Sequence, residues 1–226
     1  MVDLSRTGVY AKAMPALVIS GDLISSRAYG ADKAARTLAA VVAEINASFA
    51  NELLVPLDVM QGDAFQGVAD NGPAATTIIF HLQGRLISST DGRLMSRFGL
   101  GLGAIDQKLG NVHDPSLLTG PAFVAANEAL ERARKKKRQI ILKSNRNYLD
   151  SAANGAFGLA EHVWSRWKSE VWRRALRYSE LNNMKKLANE LNISYQAVYK
   201  QLHSRGVLAV LEALEGIGGI LQEVGG

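Results

Sequence analysis

Apolar and polar positions along this chain switch between two periods, and the switches mark its elements. Ala16–Ser20 (ALVIS) is a short continuous apolar run that stops at Gly21-Asp22, the pattern of a buried strand. From about Ala31 to Glu52, Leu38, Val41, Val42, Ile45 and Phe49 recur on one face at helical spacing. Leu54–Met60 and Ala64–Val68 are two strand-like runs joined through the turn signal Gln61-Gly62-Asp63, which reads as a hairpin. Asn71-Gly72-Pro73 opens a second helix, with Ile78, Ile79, Leu82 and Leu86 as its apolar positions. Arg97–Ile105 (RFGLGLGAI) alternates glycine with bulky apolar residues and reads as a strand whose glycines imply a close neighbour above that face. Gly120-Pro121 starts a helix through about Lys137, and Gln139–Leu142 reads as a last strand. Residues 1–14 have no clear period and read as a loose leader. The order βαββαβ with a further αβ predicts a ferredoxin-like α+β fold, an antiparallel sheet covered by helices on one side.

After Asn145 the pattern becomes helical, which places a boundary near Lys143–Asp150. It divides the chain into a ferredoxin-like domain at 15–145 and a small all-α domain at 150–226. A helix at about Glu161–Leu181 brings Val163, Trp164, Trp167, Val171 and Leu176 inward. Trp167 and Trp172 are read as core, with stacking on bases as the alternative. Arg166, Lys168, Arg173, Arg174 and Arg177 are expected to face solvent. Met184–Leu202 (MKKLANELNISYQAVYKQL) then has the spacing of a helix-turn-helix. Leu187, Ala188 and Leu191 form an inner face, Asn192-Ile193 the turn, and Ser194 an N-cap whose hydroxyl accepts from freed amides. Val198 and Leu202 bury the second helix, which leaves Tyr195, Gln196, Tyr199 and Lys200 outward. Glutamine suits an adenine edge, while tyrosine and lysine reach phosphates. The apolar positions of the tail, Leu208, Leu211, Leu214, Ile217 and Leu221, suggest pairing with a second copy in a homodimer.

Charge sharpens this division. The 226 residues carry a net +5. The stretch to Glu131 is net −4, Arg132–Arg205 is net +12 and the remainder is net −3. A basic block behind an acidic domain points to an anionic partner, and with the helix-turn-helix spacing that partner reads as DNA. The run at Arg132–Gln139 ends a helix, where cations also offset the dipole. Hydrophobic residues make up 47%, enough for a sizeable core, and no run approaches a membrane span. There is no cysteine, so disulfides and thiolate metal sites are excluded. With no signal-peptide pattern, the expected setting is cytoplasmic. His81, His113, His162 and His203 show no metal-ligand spacing.

The acidic half holds the other candidate site. Asp22 ends the first strand and Asp63 sits in the hairpin turn. A central first strand beside that hairpin brings the two carboxylates to one edge of the sheet, where such a pair can hold Mg²⁺ carrying a triphosphate. Ser25, Ser26 and Arg27 follow at a loop into a helix, placed to meet phosphate oxygens.

The segments GDLISSR, GDAFQG, RFGLGLGAI and GPAFVAANEAL, followed by the helix-turn-helix, resemble the SatD family of bacterial proteins over about Ala16–Leu202. The first domain is in turn similar to the palm of diguanylate cyclases and class III nucleotide cyclases. By that resemblance Asp22 and Asp63 are the metal ligands and catalytic carboxylates, and Gly62 admits the nucleotide closely. Ala64 stands where the GGDEF pattern has glutamate and Gln61 where it has glycine, which removes one carboxylate of the cyclase set. Three readings follow: a DNA-binding regulator whose palm binds a nucleotide with Mg²⁺, an active nucleotidyl cyclase or oligonucleotide synthase, and a dimerisation scaffold with a dead site.

Overall fold

A computed structural model of the chain describes residues 15–60, 62–105 and 119–225. Its elements are β1 (Pro15–Ile24), α1 (Ser26–Tyr29), α2 (Ala31–Ser48), β2 (Leu53–Val59), β3 (Ala64–Ala69), α3 (Gly72–Thr90), β4 (Met95–Ala104), α4 (Pro121–Lys136) and β5 (Ile140–Lys143). Five helices follow: α5 (Asn147–Trp164), α6 (Ser169–Leu181), α7 (Met184–Leu191), α8 (Tyr195–Ser204) and α9 (Val207–Gly225). The leader 1–14, Gln61 of the hairpin turn and His113 lie outside the described residues.

The strands form one sheet in the order β2-β3-β1-β4-β5. The first four pair antiparallel, which is the ferredoxin-like arrangement, and β5 joins β4 in parallel. The sheet is therefore mixed rather than wholly antiparallel. A parallel neighbour needs a crossover, and α4 supplies it. Alternation along β1 sends Leu17, Ile19 and Leu23 into one core with α2 and α3, and Ala16 and Val18 into another with Ala122, Phe123 and Ala126 of α4. Helices thus cover both faces, not one. The glycines of β4 have the close neighbour their alternation implied. A Cβ on Gly101 would lie 2.9 Å from Ala126 Cα and nearer still to the Ala122 carbonyl, so α4 rides directly on the strand backbone.

β1 also runs farther than its apolar run. Gly21-Asp22 does not stop it, because Asp22 is paired with Ala64 on one side and Arg97 on the other. Gly21 serves packing, not a turn: any side chain there would collide with the Phe65 ring. The helix read at 161–181 is two helices. α5 ends at Trp164 and α6 begins at Ser169, with Lys168 extended between them (φ −76°, ψ 163°). The break lets Trp164 and Trp167 both reach Trp172, at ring centroid separations of 5.5 and 4.9 Å. All three are buried, so they serve as core.

That core is continuous from the sheet through α3 to the C-terminal helices. Val207, Val210, Leu214, Ile217 and Leu221 of α9 are buried, and the helix packs on α3 and α5. Of the apolar face expected to pair with a second copy, Leu214, Ile217 and Leu221 are covered within the chain, and Leu208 and Leu211 are half-buried.

His81 of α3 sits at this junction, 3% exposed, with its ring edge-on to Phe49 and its Nε2 2.9 Å from the Ser179 hydroxyl of α6. Burial first, and then the Arg85 charge, lower its pKa from 6.5 to about 4, with Glu180 opposing them. Above pH 6.5 the imidazole is neutral in both folded and unfolded chains. As pH falls below 6.5 the unfolded chain takes up a proton that the folded chain refuses, so stability declines until about pH 4, by a total of about 3 kcal/mol. Denaturant titrations across that window are expected to show this slope in the wild type and to lose it in His81→Gln. An equal slope in both would remove His81 as its source.

Candidate functional site

The sheet brings the two aspartates close in register. Asp22 pairs with Ala64, and the Leu23 amide donates to the Asp63 carbonyl at 3.1 Å. Their side chains are engaged with different partners. Asp22 faces α4 and is 5% exposed. It accepts from the Arg134 Nε at 2.6 Å and from the Arg97 Nη1 at 3.3 Å. Burial works against the Arg134 charge, yet the hydrogen bond and charge of Asp22, helped by Glu131, leave its pKa raised. Asp63 accepts from the Ser26 hydroxyl. Farther along the same sheet face, the Gln66 amide donates to the Ser20 hydroxyl at 2.6 Å, and Ser20 donates to Asn127 of α4 at 3.2 Å.

Mg²⁺ takes ligands with oxygens free to form a near-octahedral shell. Here a cation on Asp22 would have to displace two guanidiniums, and position 64 offers a methyl group. Among the described residues no group of three or more His, Cys, Asp or Glu is placed to hold a metal. In this arrangement the pair does not fit a two-metal centre.

The other residues read as a phosphate site are close by. α1 is only four residues long, too short for the helix terminus expected there. Its N-cap Ser25 is left-handed (φ 68°) and makes no side-chain cap bond, and Ser25 and Arg27 are exposed. Gly62 has φ 86°, which explains glycine in that turn, and among the described residues a Cβ there would meet nothing within 4 Å. The sequence reading missed Arg97, Arg134, Gln66 and Asn127. Their signal was faint: Asn127 and Arg134 are seven residues apart, two turns of one helix face, and Gln66 interrupts an apolar strand.

Asp22 anchors α4 to the sheet by charge, and its partners are partly solvated. Asp22→Asn is therefore expected to cost about 1–3 kcal/mol, whether or not Mg²⁺ is present. Asp63→Asn, which keeps a partner for Ser26, should cost under about 1 kcal/mol. Thermal unfolding with and without Mg²⁺ distinguishes the cases: a wild-type stabilisation by Mg²⁺ that both variants lose would instead mark a metal site.

The second cluster lies on α7 and α8. Asn183 caps α7, accepting from the Lys185 and Lys186 amides at 3.0 Å each. Asn192 is left-handed (φ 52°) and ends it, a conformation asparagine tolerates better than most residues. Ser194 caps α8, accepting from the Ala197 amide at 3.1 Å. Leu187, Ala188, Val198 and Leu202 are buried, while Tyr195, Gln196, Tyr199 and Lys200 are exposed. The turn thus points these four side chains outward, as their spacing predicted. The Tyr199 ring stacks on His203.

The expected basic surface is partly neutralised. Arg177 is bound to Glu190 and Glu180, which hold its pKa up, while its hydrogen bonds lower that of Glu190. Arg174 is bound to Glu170 and Gln201. Arg173 is exposed. Arg166, Lys168, Lys200 and Arg205 converge with Arg174 around one cleft of about 480 Å³ between α6 and α8. In the basic run at the end of α4, Arg134 serves Asp22, and Arg138 is bound to Glu161 at 2.9 Å.

A ferredoxin-like α+β sheet that continues into a helical segment, within which lies a capped two-helix corner with an outward polar face, defines the class of this protein. A family model described as SatD family matches residues 16–215, and the chain belongs to that family. Among solved structures, that of a bacterial light-regulated adenylyl cyclase is similar with 11% sequence identity and a TM-score of 0.44, over 58% of this chain and 43% of that one. The match thus spans less than half of that protein's length. A search of curated proteins finds no match. No described helix is long and apolar enough to cross a membrane.

Proposed function

We propose that this is a DNA-binding regulatory protein, with α7 and α8 as a helix-turn-helix and the palm-like domain as its regulatory part. The observation that carries the reading is the outward face of α8, with Gln196 and Lys200 exposed beside the basic cleft. Gln196 is the candidate for a base edge, since its amide can both donate and accept. Lys200, Arg205, Lys168 and Arg166 are candidates for phosphates, and Tyr195, Tyr199 and the Ser194 end of the helix for the backbone beside them. A nucleotide is the palm ligand that the family resemblance favours, approached through Ser25, Arg27 and the turn at Gly62. With Asp22 held by two arginines, turnover through a metal pair is the weaker reading, and the palm serves as sensor or scaffold.

Selection from a randomised duplex pool tests the proposal. The wild type is expected to enrich a defined site. Gln196→Ala should weaken binding to it by about 1–3 kcal/mol and relax preference at one position. If no sequence is enriched, and cyclic or linked nucleotides form from NTPs in an Asp22-dependent way, the enzyme reading takes its place.

A further inference from the structure

A cavity of about 550 Å³ opens between α3, α6 and α9, and neither of the two aspartates nor any residue of α8 is in its lining. This volume suits a small molecule. Phe80, Tyr178 and Leu211 give it an apolar wall, and Glu212 and Glu215 stand exposed at its margin. In a chain of net charge +5, no lysine or arginine among the described residues lines it.

His81 is its one buried titratable side chain, and its Nδ1 has no hydrogen-bond partner. The Ser179 hydroxyl lies 2.8 Å from the Leu176 carbonyl and 2.9 Å from the His81 Nε2, so that side of the ring is engaged within the protein.

We propose that this cavity binds a small molecule with an aromatic or apolar body and a cationic, hydrogen-bond-donating end. The body lies against Phe80, Tyr178 and Leu211, and the cationic end meets Glu212 and Glu215. The same cavity is lined by Asn182 and Met184, at the corner where α6 passes into α7. An occupant therefore touches the palm helix α3 and the start of α7 together, and it stabilises that one arrangement of the two by mass action. Its consequence for DNA rests on the DNA-binding reading; its binding does not.

The test uses the full chain without DNA and three probes that share a phenol body: tyramine, 4-ethylphenol and 3-(4-hydroxyphenyl)propionate. Tyramine is expected to shift the His81 ring resonances saturably in ¹⁵N NMR and to raise the Tm, with the neutral phenol weaker and the acid weakest. The double variant Glu212→Gln, Glu215→Gln should weaken tyramine by roughly fivefold. Leu211→Trp, which fills the cavity, should abolish the shift. The proposal is overturned if tyramine gives no saturable shift, if the acid binds as well as the amine, or if the shift survives Leu211→Trp. Should Leu211→Trp fail to fold, the glutamate variant and the probe order decide. Loss of DNA binding with these results intact would overturn the DNA reading alone.

Discussion

Trp172→Ala is expected to destabilise the folded chain by about 3–5 kcal/mol. Trp172 is fully buried and packs against Phe80 at 5.3 Å between centroids, as well as against Trp164 and Trp167. It also rests on Gly84 of α3, where a Cβ would fall 2.9 Å from the indole Cε3. Its indole nitrogen has no hydrogen-bond partner, so truncation strands no acceptor and the loss is one of packing. The cavity left behind is walled by rings from α3, the end of α5 and the link into α6, none of which can swing in without abandoning its own neighbours. Because this cluster joins α3 to α5 and α6, the loss should lower the denaturant midpoint of the whole chain in one transition. A midpoint moved by less than about 1 kcal/mol, or a second transition confined to the C-terminal helices, would show that they do not share the core of the sheet.

Gly101→Val is expected to cost about 3 kcal/mol or more, at the upper end for overpacked sites. Most such insertions are absorbed by a neighbouring side chain that changes rotamer. Here the neighbours are backbone: the Ala122 carbonyl, the Ala126 amide and the Ala126 Cα. α4 would have to lift from β4, and with it the Arg134 contact to Asp22 would be lost. The measurement is the unfolding free energy beside that of Gly92→Ala, a glycine with open space around it but a left-handed φ of 78°. An equal cost at the two positions would mean that close approach of α4 is not what requires glycine at 101.

The sequence disclosed most where a residue's choice has a local cause. The αα corner was legible because Ser194, Asn192 and Ala188 each answer a local demand of capping, left-handed turning or close crossing. The alternating glycines of β4 announced a close neighbour, which the structure shows to be α4. What stayed hidden is long-range. Nothing local tells that Asp22 meets Arg134, 112 residues away, since that contact exists only once α4 crosses to the second face. The acid pair was legible as two neighbours in the sheet, and their side-chain partners were not. The length of β1 was misjudged because Gly21 looks like a stop and is instead room for Phe65. The apolar stripe of α9 was visible, but periodicity alone does not say whether the surface that covers it belongs to the same chain.

The central claim, that the basic two-helix corner binds DNA, is tested most directly by the salt dependence of binding to a fluorescent duplex. The account predicts that log Kd rises linearly with log salt concentration, and that Lys200→Ala weakens binding to all sequences alike while reducing the slope by about one contact, roughly 0.9. Binding that is absent at low salt, or that is present with a slope unchanged by Lys200→Ala and Arg205→Ala together, would contradict it.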